Sequence, residues 1–491
     1  MSADLIDLVQ RLGQPRVLVV GDLMLDRYIW GDAERVSQEA PVLLLHADKR
    51  EERLGGASSV GAMLKALDAK VMLAGVVGQD FDGGRIRQMV GDLGIDHEGV
   101  LTDQTRPSTV KERYIGRAQH RHPQQMIRVD YEVRGAISAE MEKELVQVIG
   151  RLICKADIVL ISDYDKGVCT PGLLAATIAG AKARSIRVLA DPIRSRDYRK
   201  YHGCSAITPN RLEAGLATDR NIQTNNLALE AADQLSRQLD LEAGIVTLDK
   251  EGIALALRQG RRAMFPTRQR QVYDITGAGD MVLSVLGMVL ATGADYEEAI
   301  ALANIAGGLE VEKIGVATVT REEILRDLLH GTGTADQKLL PIDLLCRELE
   351  GRRRLGQRVV FTNGCFDVLH AGHVQYLQEA RRQGDVLVVG LNSDASVRSL
   401  KGQGRPINPV DARALVIAGL QTVDYLAVFE DSTPLNLIQR IRPDVLVKGA
   451  DYHMHEVVGS AFVESYGGRV HLASLRPGFS TTHLLQRLGA A

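Results

Sequence analysis

The stretch "DITGAGDMVLSVLG", residues 274–287, sets two glycines, an alanine between them and a carboxylate directly ahead of an apolar run. Glycine lets backbone N–H groups crowd inward without a Cβ, and the run predicts a helix whose positive end faces them. Such a turn is a ready anion site. Asp280 is out of place there, because a carboxylate repels a phosphate, unless proton chemistry requires it. A hydroxyl attacking a phosphoryl group must lose its proton, and phosphoryl transfer asks little else beyond positioned phosphates and a metal. Gly277, Ala278 and Gly279 can thus offer an anion hole and Asp280 a base, the alternative being a glycine-rich turn that only caps a helix.

Outward from this turn, short Val- and Ile-rich runs alternate with longer helical patterns: "RVLVVGD" (16–22), "KVMLAGVVG" (70–78), "ADIVLISDY" (156–164) and "RVLADP" (187–192). Unbroken apolarity in so short a run predicts strands covered on both faces, hence an α/β fold with a mainly parallel sheet. The chain has 491 residues, which predicts more than one domain. The pattern breaks at "HGTGTADQK" (330–338), an amphipathic helix follows, and a second α/β series begins near residue 358. The expected organisation is a first domain over 1–330, a linker and connecting helix over 331–357, and a Rossmann-like domain over 358–491.

Net charge is −3, with 59 basic and 62 acidic residues, so no global basic field points to nucleic acid. Five cysteines without a C-x-x-C pair suggest neither a zinc site nor a disulfide framework. No signal peptide or membrane span is evident, and a cytoplasmic enzyme of small charged ligands is the expectation.

The segment "LGGASSVGAMLKALDAKVMLAGVVGQDFDGG" (54–84), taken with 274–287, resembles the two signatures of the ribokinase-like, or PfkB, sugar kinases. "TPNRLEAG" (208–215) resembles that family's N-x-x-E element, and "TLDKEG" (247–252) its nucleotide-side strand and turn. The resemblance implies ATP as co-substrate and magnesium, with Asn210 and Glu213 placing metal and phosphate indirectly. It implies that Gly252 and Asn304 lie near the nucleotide, Asn304 having a helix-surface amide as its alternative. Asp22 and Asp26, four apart in "GDLMLDRYIWG", and the Gly55–Gly56 turn fall where a sugar would bind; one of the two aspartates could instead cap a turn. In "KERYIGRAQHRHPQQMIRVD" (111–130) a run of cations is either a solvated strand face or a clamp for a sugar that already carries phosphate, with Lys111 and Arg113 the candidates. Ser59 stands where many members have Asn, so carry-over of acceptor contacts is less secure than that of chemistry.

"TNGCFDVLHAGHVQYLQEA" (362–380) sets His370 and His373 three apart at a strand-to-helix turn, where two imidazoles can grip phosphates as attack expels pyrophosphate. It resembles the H-x-G-H signature of the nucleotidylyltransferases, which implies nucleotide contacts for Asn363, Gly364 and Phe366. "KGADY" and "FSTT" resemble later elements of that superfamily, assigning phosphate contacts to Lys448, Ser480, Thr481 and Thr482. "NSDASVRSLKGQGRPINPVDAR" (392–413) adds the cations Lys401, Arg405 and Arg413, Arg413 having a solvated helix face as its alternative.

The order of the halves, with "GDLMLDRY", "ISDYDKG" and "GRPIN", resembles the bifunctional heptose 7-phosphate kinases and heptose 1-phosphate adenylyltransferases of Gram-negative bacteria. That implies C1 phosphorylation of a heptose 7-phosphate and, after removal of the 7-phosphate elsewhere, formation of ADP-heptose for lipopolysaccharide core. The alternative is a sugar kinase fused to a cytidylyltransferase. Expected partners are sugar phosphates and ATP, without nucleic acid or membrane, in a homodimer formed through the kinase domain.

Overall fold

A computed structural model describes residues 2–37, 39–117, 124–268, 270, 272, 274–313, 315–330, 338–354, 356–450 and 456–473. Contacts divide the chain into two units, Val9–Ile324, and Leu325–Ala491 together with Met1–Leu8.

The larger unit is built on a nine-stranded sheet. Its strands are β1 (Arg16–Gly21), β4 (Lys70–Gly78), β5 (Asp96–Asp103), β8 (Ile158–Ser162), β9 (Arg187–Asp191), β10 (Ala206–Ile207), β11 (Ala243–Thr247), β12 (Ile253–Leu257) and β13 (Arg262–Phe265). The order is β13-β12-β11-β10-β9-β8-β1-β4-β5, parallel except where β12 and β13 run antiparallel. The central strands carry almost no exposed side chain, β8 being buried along its whole length. That burial is what the unbroken Val/Ile runs predict: each face needs a layer of helices, and the four strands read from sequence all fall in this sheet.

A separate four-stranded sheet, β3-β2-β6-β7, is made of β2 (Leu23–Val36), β3 (Leu43–Gly56), β6 (Thr109–Arg117) and β7 (Gln124–Tyr131). Here charged residues run in clusters, and β3 is exposed or half-exposed until its last three residues. Register places Asp26 beside Lys111, and Tyr28 beside Arg113. One end of this sheet thereby carries the sugar-site candidates.

The smaller unit has a five-stranded parallel sheet ordered β16-β15-β14-β17-β18, from β14 (Val359–Gly364), β15 (Val386–Asn392), β16 (Tyr425–Phe429), β17 (Val445–Gly449) and β18 (Arg469–Ala473). Helix Ile342–Arg354 buries Leu345 and Leu349 in this unit's core with Val359, Phe361 and Ile438. It is therefore part of that core and not a free connector; of the expected linker, 331–337 lie outside the described residues. No helix among the described residues is long and apolar enough to cross a membrane.

Candidate functional sites

Helix Ala278–Leu290 opens as the sequence predicts, with Gly277 as its N-cap at φ 105°. A Cβ there would lie 2.7 Å from Glu310 Oε1, so both conformation and space require glycine. The first N–H groups of this helix have no intrahelical acceptor and face a cavity of about 1400 Å³. Ala278, Gly279, Asn210, Glu213, Gly252 and Asn304 all line that cavity. Glu310 packs beneath the turn, fully buried. Burial first, then Asp274 and Asp280, push its carboxyl up to about 8, so at neutral pH it sets little negative charge against the cradle.

Asp280 sits in the first helical turn and is buried. Its Oδ1 accepts from the Tyr164 hydroxyl at 2.9 Å, and its Oδ2 accepts from Ser59. Burial pushes its carboxyl up to about 6, opposed by those two hydrogen bonds, so it is mostly ionised at neutral pH. That is a suitable poise for a general base. Lys111 Nζ lies 5.1 Å from the Tyr164 ring centroid, and desolvation lowers its pKa. Arg113 pairs with Asp26 and lies over the Tyr28 ring at 5.2 Å. The other described cations of the basic segment go elsewhere: Arg117 pairs with Asp48, and Arg128 with Asp130 at 2.9 Å. Arg121 lies outside the described residues.

Other candidates are engaged by the protein itself. Asp22 takes the turn-capping alternative. It accepts the backbone N–H groups of Tyr164, Lys166 and Val168 at 2.8, 3.1 and 3.1 Å, and so fixes the loop that delivers Tyr164. Gly55 and Gly56 contribute space: a Cβ on Gly55 would meet Asp26 Oδ2 at 2.5 Å, and one on Gly56 the Asp22 carbonyl at 2.4 Å. Asn304 lines the cavity and is held there by the protein itself: it donates to the Phe265 and Pro266 carbonyls and accepts from Thr267, pinning that loop. Gly252, at φ 106°, lies where a Cβ would strike the Phe265 carbonyl at 1.9 Å, so the same loop closes on it. Asn210 and Glu213 form a reciprocal capping box on helix Arg211–Thr218. The box fixes both side chains at the cavity wall.

In the smaller unit His370 is the N-cap of helix Ala371–Arg381, and His373 lies one turn on. The rings stack with centroids 3.9 Å apart, and Phe366, at φ 42°, meets His373 edge-on at 5.2 Å. Burial, then His370 and Lys401, lower His373 to about 4; burial also lowers His370. Two neutral imidazoles at a helix N-terminus are primed to gain charge when a polyphosphate arrives. Lys448 Nζ donates to Asn363 Oδ1 at 2.6 Å, joining β17 to the end of β14, where Gly364 leaves room for Phe366. Asp367 accepts from Arg405 Nε at 2.5 Å and from the N–H groups of Ile407 and Asn408. Arg413 is not on a solvated face: it is 2% exposed and bonds to the Cys365 and Asn408 carbonyls and to Asp394. Ser480, Thr481 and Thr482 lie outside the described residues.

Residues 14–323 match the family described as pfkB family carbohydrate kinase, and residues 361–487 that described as Cytidylyltransferase-like. Curated proteins named Bifunctional protein HldE align end to end. The one from Geobacter sulfurreducens is 44% identical over 97% of this chain and 96% of its own length. The chain belongs to the HldE family. A member from Wolinella succinogenes is also 44% identical, over 97% of this chain and 98% of its own. Like the family's two-part make-up, this chain is a bifunctional enzyme, a carbohydrate kinase joined to a nucleotidyltransferase. The fold of the larger unit is shared with Phosphofructokinase-2 from Escherichia coli, at TM-score 0.53, 15% identity, and coverage of 64% of this chain and 98% of that one. Ribokinase from Arabidopsis thaliana gives TM-score 0.51 at 18% identity, covering 64% and 99%.

Sequence reasoning missed Tyr164 and Asp191 and undervalued Ser59. Tyr164 lies in "ISDYDKG", a stretch used above only for likeness; a tyrosine just past a buried strand's C-terminal end was its signal. Asp191, at the end of β9, lines the cavity, and burial together with Asp280 and Glu213 raises its carboxyl well above the ordinary range.

Proposed function

We propose that the enzyme makes ADP-heptose in two separated steps. The larger unit transfers the γ-phosphoryl group of ATP to the C1 hydroxyl of D-glycero-β-D-manno-heptose 7-phosphate. After the 7-phosphate is removed by another enzyme, the smaller unit joins the adenylyl group of ATP to heptose 1-phosphate and releases pyrophosphate. The observation that carries the first step is a buried, mostly ionised Asp280 in the opening turn of a glycine-capped helix whose Ala278 and Gly279 line a large cavity.

In the first step Asp280 removes the C1 proton, while the N–H groups of Gly277, Ala278 and Gly279 face the charge on the transferred group. Lys111 and Arg113 meet the sugar's own phosphate, with Asp26 orienting Arg113. Magnesium fits this cavity, since the oxygen donors of Asp191, Asn210 and Glu213 line it together. Asn210 and Glu213 would hold it through water, and the ion supplies neutralisation of phosphate charge. In the second step His370 and His373 hold the polyphosphate at their helix N-terminus, Lys448 balances its charge, and Ser480, Thr481 and Thr482 cap it. This chemistry suits a cytoplasmic enzyme. Exposed Val36, Leu43 and Ile127 on the four-stranded sheet support a homodimer through this unit, which light scattering would test.

Phosphate-31 NMR of the protein with ATP, magnesium and heptose 7-phosphate should show a new anomeric phosphate. With heptose 1-phosphate it should show a sugar diphosphonucleoside from ATP and not from CTP. Turnover of CTP alone would favour the cytidylyltransferase alternative.

A further inference from the structure

Both carboxylate oxygens of Asp280 are engaged, each by a different hydroxyl. Tyr164 donates to Oδ1 at 2.9 Å, and Ser59 donates to Oδ2. The two donors differ in freedom. Ser59 Oγ also lies 2.9 Å from the Gly56 carbonyl, and a hydroxyl has one proton to give, so it has two alternative acceptors. Tyr164 is fixed from three sides: its N–H binds Asp22 Oδ2 at 2.8 Å, its ring lies under Lys111, and its hydroxyl is held by Asp280. Ser59 is 1% exposed and Asp280 3%, so bulk water does not compete for these groups.

We propose, resting on Asp280 as the base, that Ser59 is a positioning residue whose hydroxyl switches acceptor during phosphoryl transfer, making Oδ2 the oxygen that takes the proton while Tyr164 holds Oδ1. Before the reaction Ser59 donates to Oδ2. As the sugar oxygen attacks, its O–H bond breaks and the proton passes to Oδ2. The sugar oxygen forms its bond to the γ-phosphorus, and the bond from that phosphorus to the bridging oxygen breaks, its electron pair leaving with ADP. The new Oδ2–H then donates to Ser59 Oγ, whose own proton turns to the Gly56 carbonyl. Every proton keeps an acceptor throughout, in a pocket where an unmatched one would be costly.

The groups whose charge acts on this site are Asp26 from β2, Lys111 from β6, Asp191 from β9 and Glu310 from helix Tyr296–Glu310. The test leaves all four in place. It compares the pH dependence of kinase kcat/KM in the full-length enzyme and in S59A, S59T and Y164F, with ATP binding by the kinase unit and cooperative thermal unfolding of the same preparations as the measure of folding. Loss of either donor removes a bond that favours the ionised carboxylate, so the acid limb should move up by about one pH unit in S59A and in Y164F. At the plateau S59A should lose about tenfold in kcat, more than Y164F, and S59T should restore both limb and plateau. S59C, a poorer donor of similar size, reads the same limb if S59A does not fold. An acid limb unmoved in S59A, or not restored in S59T, would leave Ser59 a packing residue and overturn the proposal. Activity retained in D280N would instead overturn the reading of Asp280 itself.

Discussion

At the residue scale the kinase reading concentrates in one carboxyl group. Asp280 must be ionised to accept a proton, so phosphorylation should rise with pH through about 6 and level off above it. D280N should lower kinase kcat by roughly 10²–10⁴-fold with little change in ATP affinity, measured by coupled assay and calorimetry. The imidazoles of the other unit run the opposite way. His373, lowered to about 4, is neutral in the free enzyme at neutral pH, and a bound triphosphate favours its charged form. Histidine NMR titration should show the His373 resonance titrating at markedly higher pH with a non-hydrolysable ATP analogue than without. An unchanged titration would separate His373 from the phosphates.

At the element scale the fold converts short motifs into caps. G277A should destabilise the larger unit by about 1–3 kcal/mol, since alanine at φ 105° is strained and its Cβ meets Glu310, and it should abolish phosphorylation. N210A removes the capping-box acceptor and should cost about 1 kcal/mol in denaturant unfolding, besides any loss of magnesium response. The parallel sheets were legible because their strands are buried on both faces and read as unbroken apolar runs. The four-stranded sheet was not: β3 reads "LLLHADKREERLGG", and its exposed, charged residues carry no burial signal. The glycine-capped helix start ahead of Asp280 and the paired histidines were legible because each depends on local spacing. For Asp22 and Asn304 sequence gives a side chain's position but not its partner; in the structure both hold backbone that the sequence leaves unplaced. Tyr164 reaches Asp280 across 116 positions, and no local pattern records that contact.

At the scale of the whole molecule, two units have separate sheets and cores, and the proposed function gives each its own way of handling a triphosphate. One uses a glycine-capped helix and a carboxylate, the other a histidine-capped helix with no carboxylate between its imidazoles. Because the 7-phosphate must leave between the steps, the product of the first site is not the substrate of the second, and the activities should be independent. The most direct test is to follow both reactions by phosphate-31 NMR in D280N and in H373A. The account predicts that D280N loses heptose 7-phosphate phosphorylation while converting supplied heptose 1-phosphate to ADP-heptose at the wild-type rate, and that H373A does the reverse. Equal loss of both reactions in either folded variant would contradict it.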